Sequence, residues 1–524
     1  MPTSRLPRPH FFLCTLLVAF AAINLLLSAC APDLVNPPRV ATATARAGRA
    51  PTPTLPPVSL PAPTATGAPV SGGSQLDAGH NPTVTLWVNK TSRQYEVALQ
   101  NVIDEFSAAH DIHVELVTVA PDLLPDLVET AALSSTFRLP DVVIMPLEYV
   151  TGWAERGVLN SEASAAVVQE LGADTFNQTA LDQVTVDGKP AAIPSDGWQQ
   201  LLIYRSDWFA EKDLPPPTDY DAILTAASVI SDRVNLVYSF NMPTESSLRA
   251  TTRVFEQMAI ANGCQLIDDK GELLILEAEC REALEFYRFL CNTYCPPGVQ
   301  TEVSTLNAYL AGRSGMIIAS PGALPAIAGL DETYQPSCAD CTTSRFLAEN
   351  SGIVTAIEGR SRGATAQNLG EVAYLGITTV ADRDAATTFA HYWFNEGYLQ
   401  WLAVEPERKV PMRRGTPAEP TRFIDDWYEL ALTADGRTLA DIYGAETADL
   451  LATNTVNPER WGYMQGEGPL IASIYENLTL SALLQELLSG YYDSDRAAIE
   501  GYKRLVELIP NYEYYVDPEP TPEE

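Results

Sequence analysis

Strand-like and helix-like patterns alternate along the chain from residue 83 onward. Short apolar or alternating segments, typical of strands, occupy residues 83–90, 112–119 and 140–146. The segments between them, residues 91–106 and 121–135, place apolar side chains three and four positions apart, as amphipathic helices do. This order predicts a doubly wound α/β sheet, in which parallel strands are joined by right-handed crossovers. Ligands of such sheets bind at the carboxyl ends of the strands.

The apolar segment near the amino terminus has the pattern of an export signal and not of a membrane-spanning helix. Arg5 and Arg8 precede the run FFLCTLLVAFAAINLLL, which is followed by small residues and Cys30. The tetrapeptide LSAC resembles a bacterial lipobox, in which the cysteine becomes the first mature residue and carries acyl chains. We therefore expect residues 1–29 to be a lipoprotein signal peptide and Cys30 to be the lipid anchor. An ordinary signal peptide with an incidental cysteine is the alternative.

The segment after the anchor differs in composition from the rest of the chain. Residues 30–82 are rich in proline, threonine, alanine and glycine and lack apolar periodicity, which predicts a disordered tether. Such a tether would place the folded part near a membrane but not on it. The remaining ~430 residues exceed what one hydrophobic core holds and predict two domains. Residues 513–524 are an expected acidic tail.

The charge balance of the chain limits its partners. The sequence holds 67 acidic and 33 basic residues and has a formal net charge of -34. Such a charge disfavours nucleic acid and anionic lipid as partners, and it also promotes solubility. A cationic ligand remains an open alternative.

Six cysteines follow the anchor, and an even number outside the cytoplasm predicts disulfide bonds. They are Cys264, Cys280, Cys291, Cys295, Cys338 and Cys341. Their pairing is open, because the sequence does not choose among the combinations. A four-thiolate zinc site built from CNTYC and CADC and a redox role for CADC are the alternatives. Structural bridges are the favoured interpretation, and we expect neither a metal site nor a cofactor.

Six segments along the chain carry a family resemblance. They are TVTLWVNK, VIDEFSAAHDIHVELVTV, LPDVVIMPLEYVTGWAERGVLN, VDGKPAAIPSDGWQQLLIYRSDWFAEKDLPPPTDYDAIL, LNAYLAGRSGMIIASPG and AATTFAHYWFNEGYLQWLAVEPERKVPMRRGTP. In this order, from Thr83 to Pro417, they resemble extracellular solute-binding proteins of family 1. These are the receptors of ABC importers and include maltose-binding protein.

The resemblance implies an α/β clamp with two lobes, each a mostly parallel sheet flanked by helices. It also implies that the lobes close on a small solute, most of all a carbohydrate, and that the receptor delivers it to a membrane permease. Crossings between the lobes are expected at residues 194–197, at Ser320 and Pro321, and near Asn395. The expected boundaries are 83–195 and 321–395 for lobe 1, and 196–320 and 396–512 for lobe 2.

The topology of such a clamp suggests which residues line the cleft. They follow strand ends or lie at the crossings: Asn89, Lys90, Thr91, Glu148, Asp196, Trp198 and Ser320. Their amide, hydroxyl and carboxylate groups offer paired hydrogen bonds to hydroxyls, and the Trp198 ring offers a stacking face to a sugar. The positions of Glu148 and Asp196 resemble those of the acidic groups that hold sugar hydroxyls in maltose-binding protein.

One aromatic position departs from the pattern of maltose-binding protein. Where that protein has an aromatic residue after the second crossing, this chain has Ala323 and Leu324, which argues against a maltose-like ligand. Trp461 and Tyr463 are candidates for the missing platform, and packing in the second lobe is the alternative for both.

The sequence contains no recognisable catalytic set, so we expect a binding protein and not an enzyme. His110 and His113 lack a third metal ligand nearby in sequence. Glu148 and Asp196 are also candidates for a glycosidase pair, although charged acceptors are the favoured interpretation. The expected function is that of an extracytoplasmic, lipid-anchored solute receptor. A membrane-tethered ligand sensor and a carbohydrate-active cell-surface enzyme are the alternatives.

Overall fold

The computed structural model describes residues 82–90, 93–455 and 459–510. Its strands are β1 (Thr83–Val88), β2 (His113–Thr118), β3 (Val142–Pro146), β4 (Thr185–Val186), β5 (Lys189–Pro190), β6 (Ile193–Gln199), β7 (Leu201–Arg205), β8 (Tyr238–Asn241), β9 (Ser314–Ala319), β10 (Ser351–Val354), β11 (Gly370–Ile377) and β12 (Val410–Pro411). The expected anchor at Cys30, the tether and the acidic tail lie outside the described residues.

Helices connect these strands and form most of the carboxyl-terminal part of the fold. The α-helices are Arg93–His110, Leu124–Leu133, Leu147–Glu155, Ser161–Leu171, Gln178–Asp182, Ser206–Glu211, Tyr220–Ile230, Arg249–Ala261, Ala278–Tyr294, Glu302–Leu310, Leu324–Ile327, Phe346–Glu349, Arg383–Phe394, Tyr398–Leu402, Arg422–Tyr428, Leu439–Tyr443, Ala445–Asn454, Gly468–Glu476, Thr479–Leu488 and Ser494–Leu508. Short 3-10 helices are Pro121–Leu123, Ala173–Thr175, Pro321–Ala323 and Pro406–Arg408. Within the described residues, no helix combines the length and the apolar character needed to cross a bilayer.

The larger sheet has six strands in the order β12-β6-β11-β3-β1-β2. Strand β1 pairs in parallel with β2 and β3, as the alternating sequence pattern predicts. Strands β11, β6 and β12 continue the sheet in antiparallel pairings. The α/β fold class is therefore confirmed, with a sheet that is mixed because three strands from later in the sequence join its edge.

The smaller sheet has four strands in the order β10-β7-β9-β8. Only β8 and β9 are parallel, while β7 pairs antiparallel with both β9 and β10. Strand β7 begins one residue after β6 ends, so the single residue Gln200 joins the two sheets. A separate two-stranded ribbon consists of β4 and β5.

Three large apolar clusters fill the spaces around these sheets. One cluster contains Leu86 and Val142 of the larger sheet, and another contains Leu201 and Ile317 of the smaller sheet. The largest cluster includes side chains of both sheets, such as Met145 of β3 and Ile318 of β9. The two sheets are therefore packed elements of one compact unit, Asp77–Glu524.

The segment predicted as the first crossing, residues 194–197, is part of strand β6. Pro194 and Gly197 both lie within β6, which is extended throughout. The register with β11 shifts between Ala373 and Tyr374, so Ser195 is passed over in the ladder. Such an irregularity accommodates a proline, which has no N–H to donate.

Strand pairing also differs from the expected crossings and boundaries. The chain passes from the larger to the smaller sheet at Gln200 and returns in residues 355–369, between β10 and β11, not at Ser320 and Pro321. Strand β12, expected in the second lobe, pairs with β6 in the larger sheet. The helices on both sides of Asn395 pack into the same cluster as β1, so no crossing occurs at this residue. Helix and strand patterns do not show which of two sheets a late strand joins, and this explains the difference.

Two disulfides are present, Cys264 with Cys280 and Cys338 with Cys341. Because CADC closes on itself, it does not meet CNTYC in the four-thiolate zinc site considered above. Cys291 and Cys295 are buried and unpaired. Among residues 82–510, so far as they are described, no group of three or more histidine, cysteine, aspartate or glutamate side chains is placed to hold a metal ion.

Candidate functional site

A cavity of about 410 Å³ lies between the two sheets, at the carboxyl ends of β1 and β3. This is the position at which doubly wound sheets bind ligands. Six of the predicted site residues line it: Asn89, Lys90, Glu148, Asp196, Trp198 and Ser320. Thr91 lies outside the described residues. The volume falls within the range of small-molecule sites, about 300–1,000 Å³.

Trp198 presents a half-buried aromatic face to the cavity from β6. The guanidinium carbon of Arg253 lies 5.8 Å from the centroid of its ring, and that of Arg408 lies 5.6 Å away. Cations within about 6 Å of an indole ring are attracted by its electrons. Two arginines from separate segments therefore hold this ring in place.

Asp196 is buried, and its carboxylate is already used by the protein. Its Oδ2 atom accepts hydrogen bonds from Ser195 Oγ at 2.7 Å and from Trp401 Nε1 at 2.6 Å. A direct role in holding a solute hydroxyl stays a prediction. The contacts that are present orient Trp401, which is another lining residue.

Glu148 and Glu371 form a pair of buried carboxyl groups on the cavity wall. Nη1 of Arg253 lies 3.2 Å from Oε1 of Glu148 and 3.3 Å from Oε2 of Glu371. Burial, followed by the neighbouring charge of Glu148, raises the pKa of Glu371 to about 8. Glu371 is therefore mostly protonated at neutral pH, and the two carboxyl groups together carry one negative charge.

The proton on Glu371 also explains the state of its neighbour. Oε2 of Glu148 is buried, and no N–H or hydroxyl group of the described residues donates a hydrogen bond to it. Burial opposes ionisation of Glu148, but a hydrogen bond from Glu371 and the charges of Arg460 and Arg253 outweigh it and lower its pKa to about 2. One protonated and one ionised carboxyl can share a hydrogen bond, whereas two carboxylates would repel each other.

Behind this pair, the charges continue into the core. Arg460 and Glu256 are fully buried, and Nε of Arg460 lies 3.0 Å from Oε1 of Glu256. Glu256 also accepts from the backbone N–H of Trp461 at 2.9 Å and from the hydroxyl of Tyr475 at 2.5 Å. Arg460 reaches back to Glu371, whose Oε2 lies 3.9 Å from its Nη1. We refer to Glu148, Arg253, Glu371, Arg460 and Glu256 as the closed network.

A second group of charges also lines the cavity, and its members have fewer partners. We refer to Lys90, Arg408 and Lys409 as the open cluster. Lys409 donates a hydrogen bond from Nζ to the carbonyl oxygen of Trp401 at 2.9 Å, and Nζ lies 3.3 Å from the Trp401 ring centroid. Burial is the main reason that the pKa of Lys409 is lowered to about 7.

The other two cations of the open cluster lie near Tyr95 and Glu405. Nη1 of Arg408 lies 3.7 Å from Oε2 of Glu405. The same oxygen accepts a hydrogen bond from the Tyr95 hydroxyl at 2.7 Å. Nζ of Lys90 lies 5.5 Å from the centroid of the Tyr95 ring. Burial and then the charge of Arg408 lower the pKa of Lys90 to about 8. Glu405 has a left-handed backbone, with φ of 60°, a strained conformation of the kind that clusters at functional sites.

Trp461 does not line the cavity. It is buried in the largest apolar cluster, where its Nε1 atom donates to the carbonyl oxygen of Cys264 at 2.8 Å. Tyr463 is buried in the same cluster. The structure thus gives both residues the packing position named as the alternative. The aromatic faces at the cavity belong instead to Tyr95, Tyr149, Trp198 and Trp401.

Several lining residues were not predicted from the sequence. They are Arg249, Arg253, Glu371, Glu405, Arg408 and Lys409. Arg249 and Arg253 are four residues apart on the first turns of one helix, a spacing visible in the sequence. The segment EPERK, which carries Glu405, Arg408 and Lys409, was part of the family resemblance. Its charge density in an acidic chain was the signal that could have identified it.

The sequence and structure both match known solute-binding proteins. The model of the family described as bacterial extracellular solute-binding protein matches residues 101–404. No curated protein sequence matches the chain.

Solved structures of this kind superpose on most of the chain. Maltose-bound MalE3 of T. maritima is 17% identical, with a TM-score of 0.63, covering 82% of this chain and 100% of its own. A solute-binding protein of Thermotoga lettingae TMO with bound alpha-D-tagatose is 19% identical, with a TM-score of 0.61 and coverage of 82% and 100%. A sugar transporter protein from Arthrobacter chlorophenolicus A6 with bound laminaribiose is 14% identical, with a TM-score of 0.63 and coverage of 82% and 99%. At these identities, the likeness establishes the fold.

Proposed function

Since the chain belongs to the bacterial extracellular solute-binding protein family, we propose that it captures a carbohydrate or polyol in this cavity and delivers it to an ABC importer. The family consists of binding proteins, so the expectation that the chain is not an enzyme is confirmed. The observation that carries the proposed ligand class is the half-buried Trp198 ring, which borders a cavity lined by amide, hydroxyl and charged groups. An aromatic face with polar groups around it suits a sugar, which has apolar C–H faces and hydroxyl edges.

The solutes in similar structures support this ligand class. The matched structures hold maltose, alpha-D-tagatose and laminaribiose. Asn89 and Ser320 lie on the cavity wall, and their side chains make no hydrogen bond to any described residue. Both groups are therefore available to a hydroxylated solute.

We propose that the two sheets are the centres of two lobes that close on the solute. The cavity takes Lys90 and Glu148 from segments next to the larger sheet, and Arg253 and Ser320 from segments next to the smaller sheet. A solute that contacts both groups favours the arrangement in which they are close, because binding stabilises only the state in which both contacts exist. Gln200 is the shortest link between the lobes and a candidate hinge.

For location, we propose an extracytoplasmic receptor held at the membrane by acyl chains on Cys30. The signal-like residues 1–29 and the LSAC tetrapeptide support this proposal. A tether over residues 30–82 would keep the receptor at high effective concentration near its permease. Replacing Cys30 by serine should move the full chain from the membrane to the soluble fraction on cell fractionation. Unchanged membrane association would contradict lipidation at this residue.

The ligand proposal is tested with the purified full chain and a panel of maltose, laminaribiose, D-tagatose and D-mannitol. Binding is measured by calorimetry and by the shift of the melting temperature, and the sugars are recovered and analysed by chromatography. We expect at least one member to bind and to be recovered unchanged. Trp198→Ala should weaken that binding at least about tenfold, because stacking and buried apolar area are lost together.

Trp208→Ala is the matched control for this substitution. Trp208 is also half-buried and also has a guanidinium over its ring, that of Arg205 at 4.3 Å, but it lies outside the cavity. It should leave solute affinity unchanged. Equal losses in the two variants, or a large fall in the melting temperature of unliganded Trp198→Ala, would show that Trp198 has a structural role and does not contact the solute.

A further inference from the structure

The charge of the cavity contrasts with that of the chain. Acidic residues outnumber basic ones by 67 to 33 in the whole sequence. The cavity wall nevertheless brings together five cations beside six acidic residues, and the cations are Lys90, Arg249, Arg253, Arg408 and Lys409. Like charges gather at such density only when counter-charges or a ligand compensate their repulsion.

Most acidic groups on the wall are already bonded to donors of the protein. Oδ1 of Asp122 lies 2.8 Å from Nη1 of Arg249. Glu148 and Glu371 share Arg253 and one proton, as described above. Asp196 and Glu405 accept hydrogen bonds from the lining residues Trp401 and Tyr95. These carboxylates compensate Arg249 and Arg253 but have limited capacity for the rest.

Glu302 is the remaining acidic group on the wall. It accepts no hydrogen bond and forms no ion pair with the described residues, and it is exposed at the first turn of the helix Glu302–Leu310. Its charge nevertheless acts on Arg253 and Arg408, whose pKa values it raises.

Lys90 and Arg408 are the two wall cations with the fewest partners. The side chain of Lys90 makes no hydrogen bond or ion pair to any described residue, and its ammonium faces the Tyr95 ring. Among those residues, Arg408 has one carboxylate within 4 Å, that of Glu405 at 3.7 Å. This carboxylate already accepts a hydrogen bond from Tyr95. Both residues are half-buried, so their cations lose part of their hydration without full compensation, which is unfavourable in the empty protein.

An anionic solute group would remove this penalty. The positive charge of Arg408 lowers the pKa of Lys90. A negative group bound to both side chains would offset this repulsion. The planar fork of an arginine matches the two oxygens of a carboxylate or phosphate. Arg408 also lies 5.6 Å from the Trp198 ring, so a sugar stacked on that ring would place a substituent near the fork.

We propose that the solute is an acidic carbohydrate and that Lys90 and Arg408 bind its carboxylate or phosphate group. The inference rests on the proposed function, since it specifies the class of sugar that the same cavity takes. The neutral sugars of the similar structures do not need this cation pair. The acidic groups already bonded within the wall then serve to hold the other cations.

The test uses the purified full chain and three pairs of sugars that differ by an acidic group. The pairs are D-galactose with D-galacturonate, D-glucose with D-glucose 6-phosphate, and D-glucose with D-glucuronate. Calorimetry at low ionic strength should show at least one acid binding about tenfold or more tighter than its neutral partner, or about 1.4 kcal/mol. The preference should shrink as sodium chloride is added, because salt screens charge attraction.

Variants then assign the effect to the two cations. Lys90→Met and Arg408→Gln should each remove most of the preference for the acid, and Arg408→Lys should restore part of it because charge returns without the fork. Arg345→Gln is the control, since Arg345 also has one carboxylate at a similar distance, Glu349 at 3.8 Å, and lies outside the cavity. Melting temperatures of the unliganded variants show that each one is folded.

The outcomes separate this inference from the proposed function. Equal or tighter binding of the neutral partners, or an acid preference that survives in both variants, overturns the role of the cation pair and leaves the sugar receptor intact. If none of these sugars nor any of the panel above binds, both proposals are wrong. Binding of the phosphate but not of the carboxylates supports the inference and identifies the group.

Discussion

The closed network and the open cluster both contribute residues to the same cavity and differ in how their charges are paired. In the closed network, each carboxylate has an arginine or a shared proton, and Glu256 accepts from three donors. In the open cluster, three cations share Glu405 and Asp196, both already bonded to aromatic side chains. Buried charges that are fully paired define the shape of a site, while those with spare capacity interact with what enters it.

The largest effect should come from breaking the closed network at its buried end. Glu256→Gln removes the buried carboxylate that lies 3.0 Å from Arg460 and places an amide beside the Tyr475 hydroxyl. We expect a loss of about 3–5 kcal/mol in the free energy of unfolding, measured with urea. Glu349→Gln is the control, because its exposed pair with Arg345 should contribute less than about 1 kcal/mol. Similar losses in both variants would show that burial does not distinguish these pairs.

An intermediate effect should appear in the pH dependence of stability. Glu371 keeps its proton up to a pKa of about 8 in the folded chain, against 4.5 normally. Between these values the folded chain binds more protons than the unfolded chain, so stability falls as pH rises. Glu371→Gln removes this fall and retains a donor for Glu148. From pH 5 to pH 8, the variant should gain on the order of 3 kcal/mol relative to wild type.

The comparison with wild type isolates Glu371 from other groups that titrate nearby. The groups whose ionisation is coupled to its carboxyl are Glu148, Arg253, Arg460, Tyr149, Tyr374 and Tyr463. Lys409 and Lys90 act in the opposite direction at higher pH, since their lowered pKa values make stability rise once they lose protons. Glu371 is the weakest of the charges acting on Lys90 and is not among those acting on Lys409, so both contributions change little in the variant. Parallel stability curves for the two would mean that Glu371 is ionised at neutral pH.

The smallest effect should come from the open cluster. Arg408→Gln removes a cation whose one nearby carboxylate, Glu405, is also hydrogen-bonded to Tyr95. The free energy of unfolding of the unliganded protein should therefore change by less than about 1 kcal/mol. Thermal and urea unfolding at pH 7 measure this, beside Glu256→Gln. A loss of 2 kcal/mol or more would place Arg408 in the structural frame and remove the contrast between the two groups.

The amino-terminal half of the fold was predictable because local patterns determine it. Strands β1 to β3 and their helices follow from apolar spacing, and Asn89, Lys90 and Glu148 follow from the rule that ligands bind at strand ends. The paths of β10 and β12 were not predictable, because each pairs with a strand far away in sequence. Pairing between distant segments leaves little trace in either segment alone.

Individual side chains show the same limit. Trp461 was a candidate for the cavity, yet an indole that faces a solute and one that packs in a core have the same local sequence signature. Arg253 was missed because an arginine on a helix gives no sign of the carboxylates it will meet. The dense charge of residues 405–409 was the visible clue, and its meaning depends on Tyr95 and Trp198, which come from elsewhere in the chain.

The link at Gln200 has a mechanical consequence. Its backbone N–H is bonded to the carbonyl of Leu369 at 2.9 Å, and its side chain donates to Gln257 at 2.8 Å. Because one residue joins β6 to β7, the adjoining ends of the two strands stay close together in any conformation. We therefore expect the two sheets to rotate about Gln200 and not to slide past each other. Atoms far from Gln200 would then move more than atoms beside it. Distance probes placed far from Gln200 will report such a swing, and probes placed beside it will not.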